Sequence, residues 1–152
     1  MATTLTEALT HEHREIDEGI EAYLGGAGTT PLLDAITELR RHIYLEEELM
    51  FPPLRQAGLM MPVMVMLREH GEIWRLMDEV IALADAGDAA DPDAAGARCR
   101  DLLALLGQHN VKEEPIIYPQ ADAGLPADVT DRVHDLLESG TMPPGWVCEA
   151  AR

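Results

Sequence analysis

HIYLEEELMFP (42–52) and HNVKEEPIIYP (109–119) are two loosely matching versions of one pattern. Each places a histidine four residues before a Glu-Glu pair, and each reaches an aromatic residue followed by proline. On a helix the His-x3-Glu step puts both side chains on one face, where an imidazole nitrogen and a carboxylate reach the same metal pair. The spacing alone is weak evidence in a Glu-rich chain, because it recurs at His11/Glu15 and His134/Glu138.

Helical geometry separates these four occurrences. Apolar periodicity and Gly/Pro punctuation outline five helical stretches. The first runs from about Thr4 to Leu24, with Leu5, Leu9, Ile16 and Ile20 inward. The second starts near Pro31 and ends at Phe51, before Pro52-Pro53, with Leu32, Ile36, Leu39, Ile43 and Met50 inward. The third follows Leu59 and continues to about Ala84, through Leu67, Ile73, Met77 and Ile81. A polar loop, DAGDAADPDAAG, leads to a fourth from roughly Asp93 to Glu114, with Leu102, Leu105, Leu106 and Ile116 inward and Pro115 and Pro119 as its stop. A short fifth stretch spans Ala127 to Glu138, and TMPPGWVCEAAR reads as an irregular tail.

At about 100° per residue, His109 and Glu113 fall mid-stripe on the fourth helix, Glu46 within the second helix's stripe and His42 at its edge. His70 is central on the third helix, and His13 is close to the Leu9/Ile16/Ile20 line. His11/Glu15 and His134/Glu138 point elsewhere. Four histidines and two glutamates thus converge on one core. Buried carboxylates are costly when unpaired, and no inward Lys or Arg serves both. A metal pair offsets the burial cost of all six groups together. A network of hydrogen-bonded core residues without metal is the plainer alternative. With no cysteine beside the histidines, structural zinc is disfavoured; mixed imidazole and carboxylate donors suit iron, then manganese or zinc. The Glu-x-x-His pairs of ferritin-like di-iron bundles do not occur.

The chain has 152 residues, 47% apolar but only 4% aromatic, so aliphatic helices must fill its core. The expected fold is all-α, an antiparallel up-down four-helix bundle over residues 1–120, with a short additional helix and irregular tail at 121–152 packed on the same domain. A net charge of -17 without a basic patch argues against nucleic acid and membrane as partners. No apolar run approaches the roughly 20 residues of a membrane span. The opening MATTLTEALTHEH has no signal-like pattern, so a cytoplasmic location is expected. Cys99 and Cys148 have no metal-like spacing and read as free thiols. Met60, Met61, Met64 and Met66 read as core filling, and Glu47 and Glu114 as solvated or supporting groups.

The pieces EHREI around His13, HIYLEEELMFP, REHGEI around His70 and HNVKEEPIIYP resemble, in order and spacing, the hemerythrin-like (HHE cation-binding) family over roughly residues 4 to 120. The resemblance implies His13, His42, His70 and His109 as terminal iron ligands, with Glu46 and Glu113 bridging two iron ions beside an oxo or hydroxo bridge. Oxygen-carrying members have a fifth histidine one turn after the third-helix one, where this chain has Trp74. The resemblance therefore implies an open iron position for O2, H2O2 or NO. The alternative is an iron-binding, iron-sensing or di-iron repair module without redox turnover, and whether the chain is an enzyme stays open. Trp74 is expected beside the less-coordinated iron. Tyr23, on the core side of the first helix, is the first choice for an internal oxygen donor, ahead of Tyr44.

Overall fold

A computed structural model describes residues 3–87 and 91–152, and every described regular element is helical. Helix α1 (Leu5–Leu24) starts with a capping box, Thr4 accepting from the Glu7 amide and Glu7 from the Thr4 amide. Asp122 also accepts from the Leu5 and Thr6 amides. Then come α2 (Thr29–Leu45), α3 (Phe51–Gln56), α4 (Met60–Asp85), α5 (Pro92–Lys112), α6 (Tyr118–Gly124) and α7 (Ala127–Ser139). Residues 88–90 of the expected polar loop lie outside the described residues, and its end, from Pro92, is already helical. Helix α1 packs on α2 and α5, and α4 packs on α5 and α2. Among the described residues no helix is long and apolar enough to cross a membrane.

The expected stops at Pro52-Pro53 and at Pro115/Pro119 do not stop anything. Chain direction continues through two π-helical turns, Glu46–Met50 and Glu113–Ile117, into α3 and α6. A proline inside a helix lacks the N–H and crowds the carbonyl four residues back. A π turn admits one extra residue, so the last amide before each proline reaches five residues back: Phe51 N–H donates to the Glu46 carbonyl, and Tyr118 N–H to that of Glu113. The extra residue also rotates the side chains beyond it. Ile116, expected inward, is 52% exposed, and Ile117 is buried instead.

Two apolar clusters fill the interior. One gathers Ile16, Ile20, Leu39, Ile43, Ile73 and Leu106 with their neighbours, the other Leu5, Leu9, Leu45, Phe51, Leu67 and Ile117. Along each long helix the histidine falls where the chain passes from one cluster to the other: His13 between Leu9 and Ile16, His70 between Leu67 and Ile73. The polar residues therefore form a layer across the middle of the core. Of the methionines read as filling, Met66 is buried, but Met60, Met61 and Met64 are exposed at the start of α4. In the tail, Cys148 is fully buried in the first cluster and Trp146 packs against it.

Gly19 sets the spacing of α1 and α2. A Cβ there would lie 2.7 Å from Ala35 Cβ and 2.8 Å from the Pro31 carbonyl oxygen. The same helix pair carries His13 and His42, so this close approach helps bring the two imidazoles together. Gly19→Val is expected to overpack the contact and destabilise the protein by about 1–3 kcal/mol, lowering Tm by roughly 2–12 °C. Thermal unfolding of the variant checks this; an unchanged Tm would mean that the helices have room to separate.

Candidate metal centre

All six residues picked from the sequence come together, and all are buried: His13, His42, Glu46, His70, His109 and Glu113. They form two groups. In one, His70 Nε2 lies 3.2 Å from Glu46 Oε1, and His109 Nε2 lies 3.1 Å from Glu113 Oε2. In the other, His13 Nε2 and His42 Nε2 are 3.1 Å apart, with Glu113 Oε1 3.3 Å from the first and Glu46 Oε2 3.5 Å from the second. Each carboxylate thus turns one oxygen to each histidine pair. His11 is exposed and pairs with its helix neighbour Glu15. His134 is half-buried on α7.

A seventh residue completes the second group. The Tyr118 hydroxyl is 3.0 Å from both His13 Nε2 and His42 Nε2, 2.8 Å from Glu46 Oε2 and 3.0 Å from Glu113 Oε1. A phenol donates one hydrogen bond and accepts about two, so four polar neighbours exceed what it can satisfy. Tyr23, the expected donor, instead packs at the edge of the first apolar cluster, and Tyr44 stands edge-on to Trp146. The regular wheel hid Tyr118, which follows Glu113 by five residues. One π turn returns it to the same face. Its position before Pro119, matching Phe51 before Pro52, is the signal in the sequence.

Trp74 is also elsewhere than expected. It is buried edge-on to Trp146, with the Arg40 guanidinium 4.5 Å from its ring centroid. The walls between the two groups are Leu39, Ile43, Ile73, Leu106 and Asn110 around a cavity of about 10 Å³. The indole, at i+4 from His70, is not among these walls; it lies in the first apolar cluster beside the tail.

The outer nitrogen of every imidazole is held by a carboxylate. His42 Nδ1 donates to Glu12 at 2.9 Å, His109 Nδ1 to Glu69 at 2.9 Å, His70 Nδ1 to Glu47 at 2.7 Å and His13 Nδ1 to Glu114 at 2.8 Å. This leaves each Nε2 facing the centre, the arrangement that orients metal-binding histidines. Glu47 and Glu114 therefore support the site, and Glu12 and Glu69, which the sequence pattern did not single out, do the same. The pairing is also nearly two-fold: Glu12-His13 on α1 answers Glu69-His70 on α4, while His42-Glu46-Glu47 answers His109-Glu113-Glu114.

The donor set fits a metal. Buried Glu46 Oε1, His70 Nε2, His109 Nε2 and Glu113 Oε2 all lack a hydrogen-bond partner, and they are the four atoms of one group. In the other group the close neighbours are 2.8 to 3.5 Å apart. Ligands about 2.1 Å from one octahedral ion are spaced at about 3 Å.

The same contacts replace the inward Lys or Arg that the sequence lacks. For His42, burial lowers the pKa, but the Glu46 charge and bonds to Glu12 and Glu46 outweigh it and hold it well above 6.5. Burial likewise opposes the proton on His109, while Glu113 and Glu69 raise it to about 10. Burial pushes Glu113 up, and His109 overrides this to hold it well below 4.5. Glu69 is lowered to about 2, chiefly by its bond to His109, against burial and with Lys112 adding. Tyr118 is raised well above 10 by burial and by the charges of Glu113 and Glu46. Glu113 and Glu69 are thereby held ionised against the His109 imidazolium.

Comparison with known proteins agrees with this geometry in kind. The family model described as the hemerythrin HHE cation binding domain matches residues 4–121. Uncharacterized proteins of Mycobacterium bovis and of two Mycobacterium tuberculosis strains are each 30% identical over 82 residues, 51% of this chain and 32% of theirs. The matched stretch therefore covers about a third of the length of these curated relatives. No solved structure gives a significant match.

The pKa shifts set a pH dependence for the metal-free protein. His109, raised from 6.5 to about 10, contributes stability that is complete below 6.5 and lost as pH rises towards 10. Glu69, lowered from 4.5 to about 2, contributes stability that is complete above 4.5 and lost as pH falls towards 2. The metal-free Tm should therefore peak between these limits and fall on the alkaline side. Metal binding needs neutral imidazoles, so the Tm gap between loaded and metal-free protein should widen with pH. Thermal unfolding with and without metal across this range checks both. A metal-free Tm that climbs steadily above pH 6.5 would contradict the imidazolium pairing.

Proposed function

The chain belongs to the hemerythrin HHE cation-binding family, and on that premise we propose that an antiparallel up-down four-helix bundle here holds two iron ions and lets one react with O2, H2O2 or NO. The observation that carries this reading is the division of each buried carboxylate, one oxygen of Glu46 and of Glu113 to either histidine pair. That division suits two adjacent ions sharing both glutamates. His70 and His109 would hold one ion; His13, His42 and Tyr118 would hold the other.

Bound iron supplies the redox chemistry and the positive charge that offsets the two carboxylates. The chain's own residues set where a ligand can approach. On the His13/His42 side Tyr118 supplies a fifth protein donor. The matching residue on the other side is Phe51, which stacks on His70 with centroids 5.6 Å apart and offers no donor atom. The open position is therefore assigned to the His70/His109 side, walled by Ile73 and Leu106, which keep bulk water out. The competing reading, iron held or sensed without turnover, draws support from the small enclosed volume of about 10 Å³.

Iron analysis should give two irons per chain, one for each donor group. His109→Ala or Glu113→Ala should abolish loading, whereas His11→Ala and His134→Ala should retain it. A visible tyrosinate-to-iron band should vanish in Tyr118→Phe. Phe51→Tyr, which offers a hydroxyl on the open side, should slow peroxide consumption several-fold in stopped-flow mixing. Full iron in His109→Ala would sink the metal assignment. A spectrum unchanged in Tyr118→Phe would remove that residue from the ligand set, and iron that is loaded yet inert to O2, peroxide and NO would favour the reading without turnover.

A further inference from the structure

The tail, Thr141–Arg152, supplies none of the converging atoms, yet it is built onto the helix that carries His70. Gly71 follows that histidine directly, and a Cβ on it would meet Ala150 Cβ at 2.7 Å and the Ala150 carbonyl at 3.2 Å. Arg75 Nη2 donates to the Ala150 carbonyl at 2.6 Å. Trp146 Nε1 donates to Glu48 at 3.0 Å, and its ring meets Trp74 and Tyr44 edge-on. Cys148 is sunk into the first apolar cluster. The strap is thus fixed just before and within a single short turn, Glu149–Ala151.

That turn reaches the site through one bond. The Glu149 amide donates to Glu47 Oε1 at 3.0 Å, while Glu47 Oε2 accepts from His70 Nδ1 at 2.7 Å. The near two-fold relation supplies an internal control. Glu114 does for His13 what Glu47 does for His70, but its side chain is 35% exposed, against 4% for Glu47. No tail amide reaches Glu114 in the described residues.

We propose that the Trp146–Arg152 strap is a positioning element for His70, acting through the Glu149 amide and the Glu47 carboxylate. The inference rests on the proposed role of His70 as a metal ligand. With both Glu47 oxygens engaged, the carboxylate cannot swing into the adjoining cleft of about 480 Å³ that it lines. It therefore fixes the His70 ring and tautomer with Nε2 towards the centre. Groups supporting a metal-bound histidine in this way are worth about 10- to 100-fold in metal affinity.

Glu149→Pro tests the bond by itself. Cys148, at φ -62° and ψ 151°, already has the backbone that a residue before proline adopts, and Glu149 opens a helical turn, where proline fits. The substitution deletes one N–H; Glu149→Ala deletes the side chain and keeps that N–H. Protein loaded anaerobically with ferrous iron is mixed with excess chromophoric chelator, and iron release is followed. Glu149→Pro should release one of its two irons about tenfold faster than wild type, with Glu149→Ala at the wild-type rate and the metal-free Tm unchanged. Glu47→Gln, which leaves the strap's own sequence intact, should accelerate the same phase, and Glu114→Gln the other. Release of both irons at wild-type rates from Glu149→Pro, or equal acceleration by Glu149→Ala, would overturn the proposal. Wild-type protein that binds no iron would instead remove the metal reading on which it rests.

Discussion

Two fully buried carboxylates, Glu46 and Glu113, each face two histidine pairs at once, and the fold is arranged around that fact. An isolated buried carboxylate is too costly to keep ionised. Here each is enclosed by imidazoles whose outer nitrogens are themselves held by Glu12, Glu47, Glu69 and Glu114. Charge therefore alternates outward from the centre: carboxylate, imidazole, carboxylate, with Arg41 on Glu12 and Lys112 on Glu69 as a further cationic layer. In the metal-free protein, protons on His42, His70 and His109 offset that charge. On the proposed reading, metal displaces those protons and takes over the same role.

The π turns connect this electrostatic arrangement to the backbone. Glu46 and Glu113 each open such a turn, and each turn ends at an aromatic residue before proline. The proline cannot be accommodated by regular i to i+4 bonding. The widened turn resolves that conflict and swings the aromatic residue back to the face of the glutamate. A sequence feature that looks like a helix stop thus places a fifth side chain on the metal-facing side. Because the feature occurs twice, the centre inherits a near two-fold symmetry from two similar helix pairs.

This explains which parts of the site could be read from the sequence. Regular geometry holds on α1, α2, α4 and α5 as far as the glutamates, so a 100° step places four histidines and two glutamates on inward faces. Past Glu113 the same step fails by one residue: Ile116 is assigned inward in place of Ile117, and Tyr118 is overlooked while Tyr23 is favoured. Trp74 is misplaced for a different reason: it is buried as its stripe implies, but its ring packs edge-on to Trp146, which belongs to a tail with no periodic signal. Glu12 and Glu69 could have been paired from the Glu-His steps that they share, had α1 and α4 been compared as α2 and α5 were.

The symmetry is broken in two places, and the breaks fall on opposite sides. Tyr118 brings an oxygen to the His13/His42 group, where Phe51 brings only carbon to the His70/His109 group. The tail buries Glu47 behind His70, but Glu114 behind His13 stays partly exposed. An ion with five protein donors tolerates some play in each of them. One with four donors and an open position depends more heavily on each histidine, because an arriving ligand pulls against a smaller cage. The side that lacks the tyrosine oxygen is also the side where the strap immobilises the supporting carboxylate. On the proposed reading the two departures from symmetry are complementary: one creates a place for a small molecule to bind, and the other stiffens the ligands that must hold the metal while it does so.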